Sequence, residues 1–352
     1  MKTRNMARFL VVLSITALIL IAGAYIVIAS PPPPAVSRLG PVAVSSSATE
    51  WSSGWVTLAQ GELRTFTHTL GALGVAPERY AVELWFQDVD GGLGINRRYY
   101  GGIEINDDPA PWRGAHWQNL TTDTIQIKRG PNDDVADMVN VRVWFVPVSP
   151  SAYDSGWRSI APNTMRVFTH GFGITATDLT VSLWFSDPVR GIHQFAYGGL
   201  TIDPMTETIG AFWHHLTTDT VQVSRYPSDT AVHQVRVSVV KGAPPAYDSG
   251  WQPVTPGQKL TLTHDLSWSP DMLLVRGECY TPTLGIHQRS AGGDHVGTPP
   301  DAKWVGANLE NLTTTTVVVY RQSGDVVCGD FRVRVWKRSM TIYLPAVLRD
   351  YQ

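Results

Sequence analysis

Charge is what this sequence has least of. Only 16% of its 352 residues are Asp, Glu, Lys or Arg, and the formal net charge is -2. Proteins that bind nucleic acid carry a basic stripe or patch, so no nucleic-acid partner is expected. Stretches rich in Ala, Glu, Lys and Leu, the usual helix formers, are missing. So is any nucleophile–base pair or carboxylate pair repeated at a fixed spacing. No enzymatic activity and no cofactor is therefore expected. Cysteine is scarce as well, with Cys279 and Cys328 the two in the chain. Against these shortages stand thirteen Trp and an abundance of β-branched residues, a balance that favours strands over helices.

The N-terminus differs from the rest. Lys2, Arg4 and Arg8 precede an uncharged stretch from Phe9 to Ala29, which Ser30 and Pro31 to Pro34 close. Its length suits a membrane-spanning helix, which needs about 20 apolar residues. The small residues of Ala22-Gly23-Ala24 and Val27-Ile28-Ala29 equally suit a cleaved signal peptide. Both readings place residues 1–29 as a signal peptide or signal-anchor helix and export everything beyond them, to the cell surface or the extracellular space. Residues 30–50 read as a Pro/Ser-rich linker.

Three copies of one pattern fill the remainder. Each opens on Ser-Gly-Trp (Ser53-Gly54-Trp55, Ser155-Gly156-Trp157, Ser249-Gly250-Trp251) and continues to a Thr-His (Thr67-His68, Thr169-His170, Thr263-His264). A Gly-Ile-(Asn/His) and a Gly-Gly follow. Then GAHWQNLTTDTIQIKR from Gly114 matches GAFWHHLTTDTVQVSR from Gly210 and GANLENLTTTTVVVYR from Gly306. A final strand aligns Val141-Arg142-Val143-Trp144 with Val235-Arg236-Val237-Ser238 and Val333-Arg334-Val335-Trp336. Such self-similarity marks a repeat architecture. Alternation such as Ile125/Ile127 against Gln126/Lys128 is the period of a half-buried strand. The expected fold is all-β, with three tandem antiparallel β-sandwich domains at 51–147, 153–242 and 247–337 and a tail at 338–352.

Candidate binding residues are aromatic and polar groups on the polar strand face or in the glycine-fixed loop. Trp85 and Trp184 fall out of phase with the apolar positions of their strands, and Trp117 and Trp213 recur in the closing motif. Asn96, Arg97 and Tyr99 in the first loop match His193 and Gln194 in the second, and His215 stands where the first repeat has Asn119. Indole faces stack on sugar rings and nearby polar groups bond hydroxyls. The competing reading buries these Trp against the neighbouring repeat. The recurrent His68, His170 and His264 share a face with core residues and read as structural. The histidines fit no zinc spacing, Asp88-Val89-Asp90-Gly91 is a calcium-loop fragment that the other copies lack, and no metal is expected. In an exported chain Cys279 and Cys328 read as a disulfide worth roughly 4 kcal/mol, the alternative being two buried thiols.

On Ser-Gly-Trp, the Phe-Thr-His strand and the Val-Arg-Val-Trp ending, each repeat resembles the H-type lectin domain. That resemblance implies a β-sandwich, a pseudo-trimer within one chain and sugar binding between its members. The expected function is an exported, membrane-tethered carbohydrate-binding or adhesion protein with glycans as partners. The alternative is a structural cell-envelope or filament protein that self-associates through its repeats.

Overall fold

The computed structural model describes residues 49–104, 112–146, 152–202, 207–296 and 303–338. The apolar N-terminal segment, nearly all of the Pro/Ser linker and the tail beyond Arg338 lie outside them. Among the described residues no helix is long and apolar enough to cross a membrane.

Alternating residues become strands wherever one face can bury. Thr124–Arg129, Thr220–Arg225 and Thr316–Arg321 each turn their second and fourth residues inward, so Ile125 and Ile127 are fully buried. In the first repeat this strand lies between Leu63–Thr67 and Ala115–Gln118 in an antiparallel sheet of three. A sheet of five runs Glu50–Ser52, Met138–Phe145, Tyr80–Asp88, Gly94–Asn96, with Val56–Thr57 also paired to Met138–Phe145. Leu84, Phe86, Val139 and Val141 of the larger sheet bury in one cluster with Ile125 and Ile127 of the smaller. The other repeats copy this plan, and all three repeats carry a further two-stranded ribbon. A buried ion pair closes each three-stranded sheet at the same place: Arg129–Asp133, Arg225–Asp229 and Arg321–Asp325, all at 2.6–2.7 Å.

The expectation of three tandem sandwich domains is overturned. The six principal sheets, all small and antiparallel, are arranged as a six-bladed β-propeller. Backbone hydrogen bonds between repeats close the ring. The Asn119 amide donates to the Arg190 carbonyl, that of His215 to Leu284, and that of Asn311 back to Leu93, each at 2.8 Å. First contacts second, second contacts third, and third contacts first. An Arg338–Glu50 ion pair joins the two ends of the described ring. With this architecture the H-type lectin resemblance fails too, since it presumed self-contained sandwiches.

The final strand also needs a new alignment. Ser53, Ser155 and Ser249 donate their amides to Val141, Val237 and Val333, which fixes these valines as equivalent. Ser238 therefore matches Arg142 and Arg334, while Arg236 matches Asn140 and Arg332. No position of this final strand therefore holds an arginine in all three repeats. A Val-x-Val ladder looks the same after a slip of two residues, so the strand pattern alone did not reveal the shift.

Candidate axial binding site

The loops after Gly94–Asn96, Gly191–His193 and Gly285–His287 are built for backbone geometry. Asn96, His193 and His287 are all fully buried. The Asn96 Oδ1 accepts the amide of Arg98 at 3.0 Å; the Nδ1 of His193 and of His287 accepts those of Phe195 and Arg289 at 3.1 Å. Asn and the neutral imidazole thus do one job, which explains their exchange between copies. Tyr99, Ala196 and Ser290 come next, at φ of 58°, 59° and 52°. Their carbonyls approach Gly114, Gly210 and Gly306 so closely that a Cβ there would lie 1.9–2.0 Å from the oxygen. Only glycine allows that approach. His215, at φ 49°, is half-buried and occupies the inter-repeat turn of Asn119 and Asn311.

Gln194 and Gln288 clasp neighbouring repeats. The Gln194 side-chain oxygen accepts from the Tyr100 hydroxyl at 2.6 Å and from Trp117 Nε1 at 2.9 Å, both in the first repeat. Gln288 does the same for Tyr197 and for Trp213 Nε1 of the second. Each amide then donates to its own strand, to Leu183 O and Gly277 O. Burial raises the pKa of both tyrosines, so they remain neutral donors. Trp117 and Trp213, expected to meet ligand, are completely enclosed in these clasps.

At the third contact the clasp is missing. Ala291 and Leu309 replace the Tyr and Trp, and Arg97 replaces the Gln. The Arg97 guanidinium lies 4.6 Å from the Trp85 ring and 5.0 Å from Tyr100, with Nη2 3.7 Å from Glu83. Trp85 is 1% exposed and packs into the core of the third repeat, while Trp184 is 7% exposed beneath the Arg236 guanidinium. Neither offers a free face outside the ring. The competing reading, burial against a neighbour, describes Trp85, whereas Trp184 also borders the axial chambers.

Where Tyr and Trp are replaced, a cavity of about 90 Å³ remains. Glu83, Arg97, Tyr100, Gln194, Arg276 and Gln288 line it, together with Ala291 and Leu309. A wider chamber of about 330 Å³ adjoins it and shares Ala81, Trp144, Ser182, Trp184, Leu274 and Arg276. Trp144, Trp184 and Trp336, one from each repeat, converge on this mouth beside Tyr153, Asp154 and Arg236. The equivalent strand positions Ala81, Thr180 and Leu274 all border it, which places it around the centre of the ring. Of the expected ligand-binding residues, Arg97, Trp184 and Gln194 border these chambers. Trp85, Asn96, Tyr99, Trp117, His193, Trp213 and His215 do not.

Sequence reasoning passed over Arg276, and it left Gln288 out of the expected site although the third copy of the glycine-fixed loop contains it. Both were findable, since Arg276 occupies the outward position of Glu83 and Ser182, and Gln288 that of Arg97 and Gln194. Asp88 and Asp90 of the calcium-loop fragment gather with Asp137. However, Asp88 accepts the amides of Gly91 and Leu93, and Asp137 accepts the Val89 amide and pairs with Arg129. Asp88 and Asp137 are thus committed to partners within the protein. Cys279 and Cys328 form a disulfide. The chain matches no protein-family model and no curated protein.

Proposed function

We propose that this chain is an exported, non-enzymatic binding protein that takes a carbohydrate in its axial mouth. A propeller fold is compatible with binding or adhesion roles. The observation that carries the reading is the convergence of Trp144, Trp184 and Trp336 from three repeats on one mostly apolar chamber, beside a few polar side chains. Ligand sites characteristically combine an apolar wall with a small number of convergent polar groups. Indoles present flat, electron-rich faces suited to the C–H side of a sugar ring. Thr180, Ser182, Asp154 and Arg236 supply hydroxyl partners around them. The disulfide supports export, because such bonds persist in oxidising compartments.

A glycan array probed with the purified chain tests this. Binding is expected to at least one saccharide class and to weaken tenfold or more in the Trp144→Ala/Trp336→Ala double variant. A folded protein that binds no glycan would sink the proposal.

A further inference from the structure

The long strands Tyr80–Asp88, Leu179–Asp187 and Leu273–Thr281 each point one polar residue away from their own core and toward the centre of the ring: Glu83, Ser182 and Arg276. Glu83 is engaged, with Arg142 Nη1 3.4 Å from one oxygen and Arg97 Nη2 3.7 Å from the other. Arg276 is not. Its guanidinium reaches only Val181 O at 3.4 Å and Ser182 Oγ at 3.5 Å. No carboxylate of the described residues forms an ion pair with it. Elsewhere around the mouth the arginines make shorter contacts. Arg236 makes a two-pronged contact with Asp154, and Arg79 donates to Val146 O at 2.7 Å.

Charge around both chambers is therefore unbalanced in the same direction. Two arginines face one glutamate in the inner cavity, and three arginines face two acids in the mouth. Arg276 is common to both. Its surroundings are poorly solvating, and burial lowers its pKa from the ordinary arginine value. A half-buried cation without an acidic partner is partly desolvated at a cost, and a bound anion reduces that cost. The planar guanidinium matches a carboxylate with two parallel hydrogen bonds.

Building on the carbohydrate reading, we infer that the axial site takes an acidic saccharide. The carboxylate of a uronate pairs with Arg276 while its ring lies in the mouth bordered by Trp144 and Trp184. Arg276 then selects acidic over neutral sugars.

Titration calorimetry on the full chain tests this with methyl glucuronide and methyl galacturonide, their methyl esters, the neutral glycosides and acetate. At least one uronide is expected to bind tenfold or more tightly than its own ester. Added salt should shrink that preference. Arg276→Gln should reduce the uronide to the affinity of the ester and weaken the neutral glycosides far less. Arg276→Lys keeps the charge without the planar fork and should retain part of the preference, which provides a test should Arg276→Gln fail to fold. Equal affinity for uronide and ester, or equal loss of both in Arg276→Gln, overturns the selectivity and leaves sugar binding standing. Acetate binding as tightly as the uronide makes this a simple anion site and overturns both proposals, as does the absence of any sugar binding.

Discussion

Two of the three contacts between repeats are sealed, and one is left open. Between the first and second repeats, and again between the second and third, a glutamine oxygen is held by a tyrosine hydroxyl and an indole N–H. Between the third and the first the same positions hold Ala291, Leu309 and Arg97. The backbone at all three contacts is alike, with the same 2.8 Å amide-to-carbonyl bonds. The difference therefore lives in side chains. The chain closes its ring by backbone pairing, and the clasps then decide which contacts are filled. Divergence of one copy leaves room at the centre while the other two contacts stay filled, a division of labour that an identical threefold repeat could not provide.

Truncating the clasp should have the largest effect. Trp117 is fully enclosed and hydrogen-bonded, so Trp117→Ala is expected to cost about 3–5 kcal/mol. Leu309→Ala, beside an existing cavity and with no polar partner to orphan, should cost nearer about 2 kcal/mol. Urea denaturation of both variants measures the gap. Equal losses would mean that the open contact is packed as tightly as the sealed ones.

Acid should separate the repeats next. His287 is fully buried, and its Nδ1 must stay unprotonated to accept the Arg289 amide. Burial, the largest cause, pushes its pKa down to about 3, and likewise that of His116 to about 3 and His214 to about 4. These folded-state values lie below the unfolded one of about 6.5, so below that pH the unfolded chain binds protons that the folded chain refuses. Stability is full above about pH 6.5 and is lost as pH falls toward the folded values, at about 1.4 kcal/mol per pH unit for each such histidine. In the first repeat Asn96 does the same job without titrating. His287→Asn should therefore flatten the slope of stability between pH 6 and 4 by one histidine's share, measured by denaturation across that range. An unchanged slope would show that this imidazole is not kept neutral.

The repeats and the strand period were legible because each three-stranded sheet buries apolar side chains within its own repeat. Ile125, Val221 and Val317 announce themselves by alternation. The outward face of the long strand was not legible. Glu83, Arg142 and Arg334 look like solvent-facing residues, yet they are buried against a neighbouring repeat. A face that buries against polar backbone has the same pattern as one that meets water. Trp85 and Trp184 were correctly singled out as out of phase, and their surroundings followed only from ring closure. The third core hides a second exchange. The bulky pair Phe86–Val139 becomes Cys279–Phe331, and Gly277 replaces Leu84 because a Cβ there would meet the Phe331 ring at 2.4 Å. The ring crossed from one strand to the other, which no comparison of single strands discloses.

The smallest expected effect comes from repairing the open contact. The triple variant Arg97→Gln/Ala291→Tyr/Leu309→Trp writes the clasp of the other two contacts into the third. Filling a cavity of about 90 Å³ is worth up to roughly 2 kcal/mol at about 24 cal/mol per Å³. The loss of the Arg97 stacking on Trp85 and Tyr100 offsets part of that, since such contacts contribute about 0.5–2 kcal/mol. A net gain of about 1 kcal/mol is expected by urea denaturation, with ligand affinity reduced because the inner cavity is filled. Higher stability with unchanged affinity would confine the ligand to the outer mouth. Lower stability would show that Ala291, Leu309 and Arg97 already form a matched set, and that the third contact is specialised in its packing rather than left unfilled.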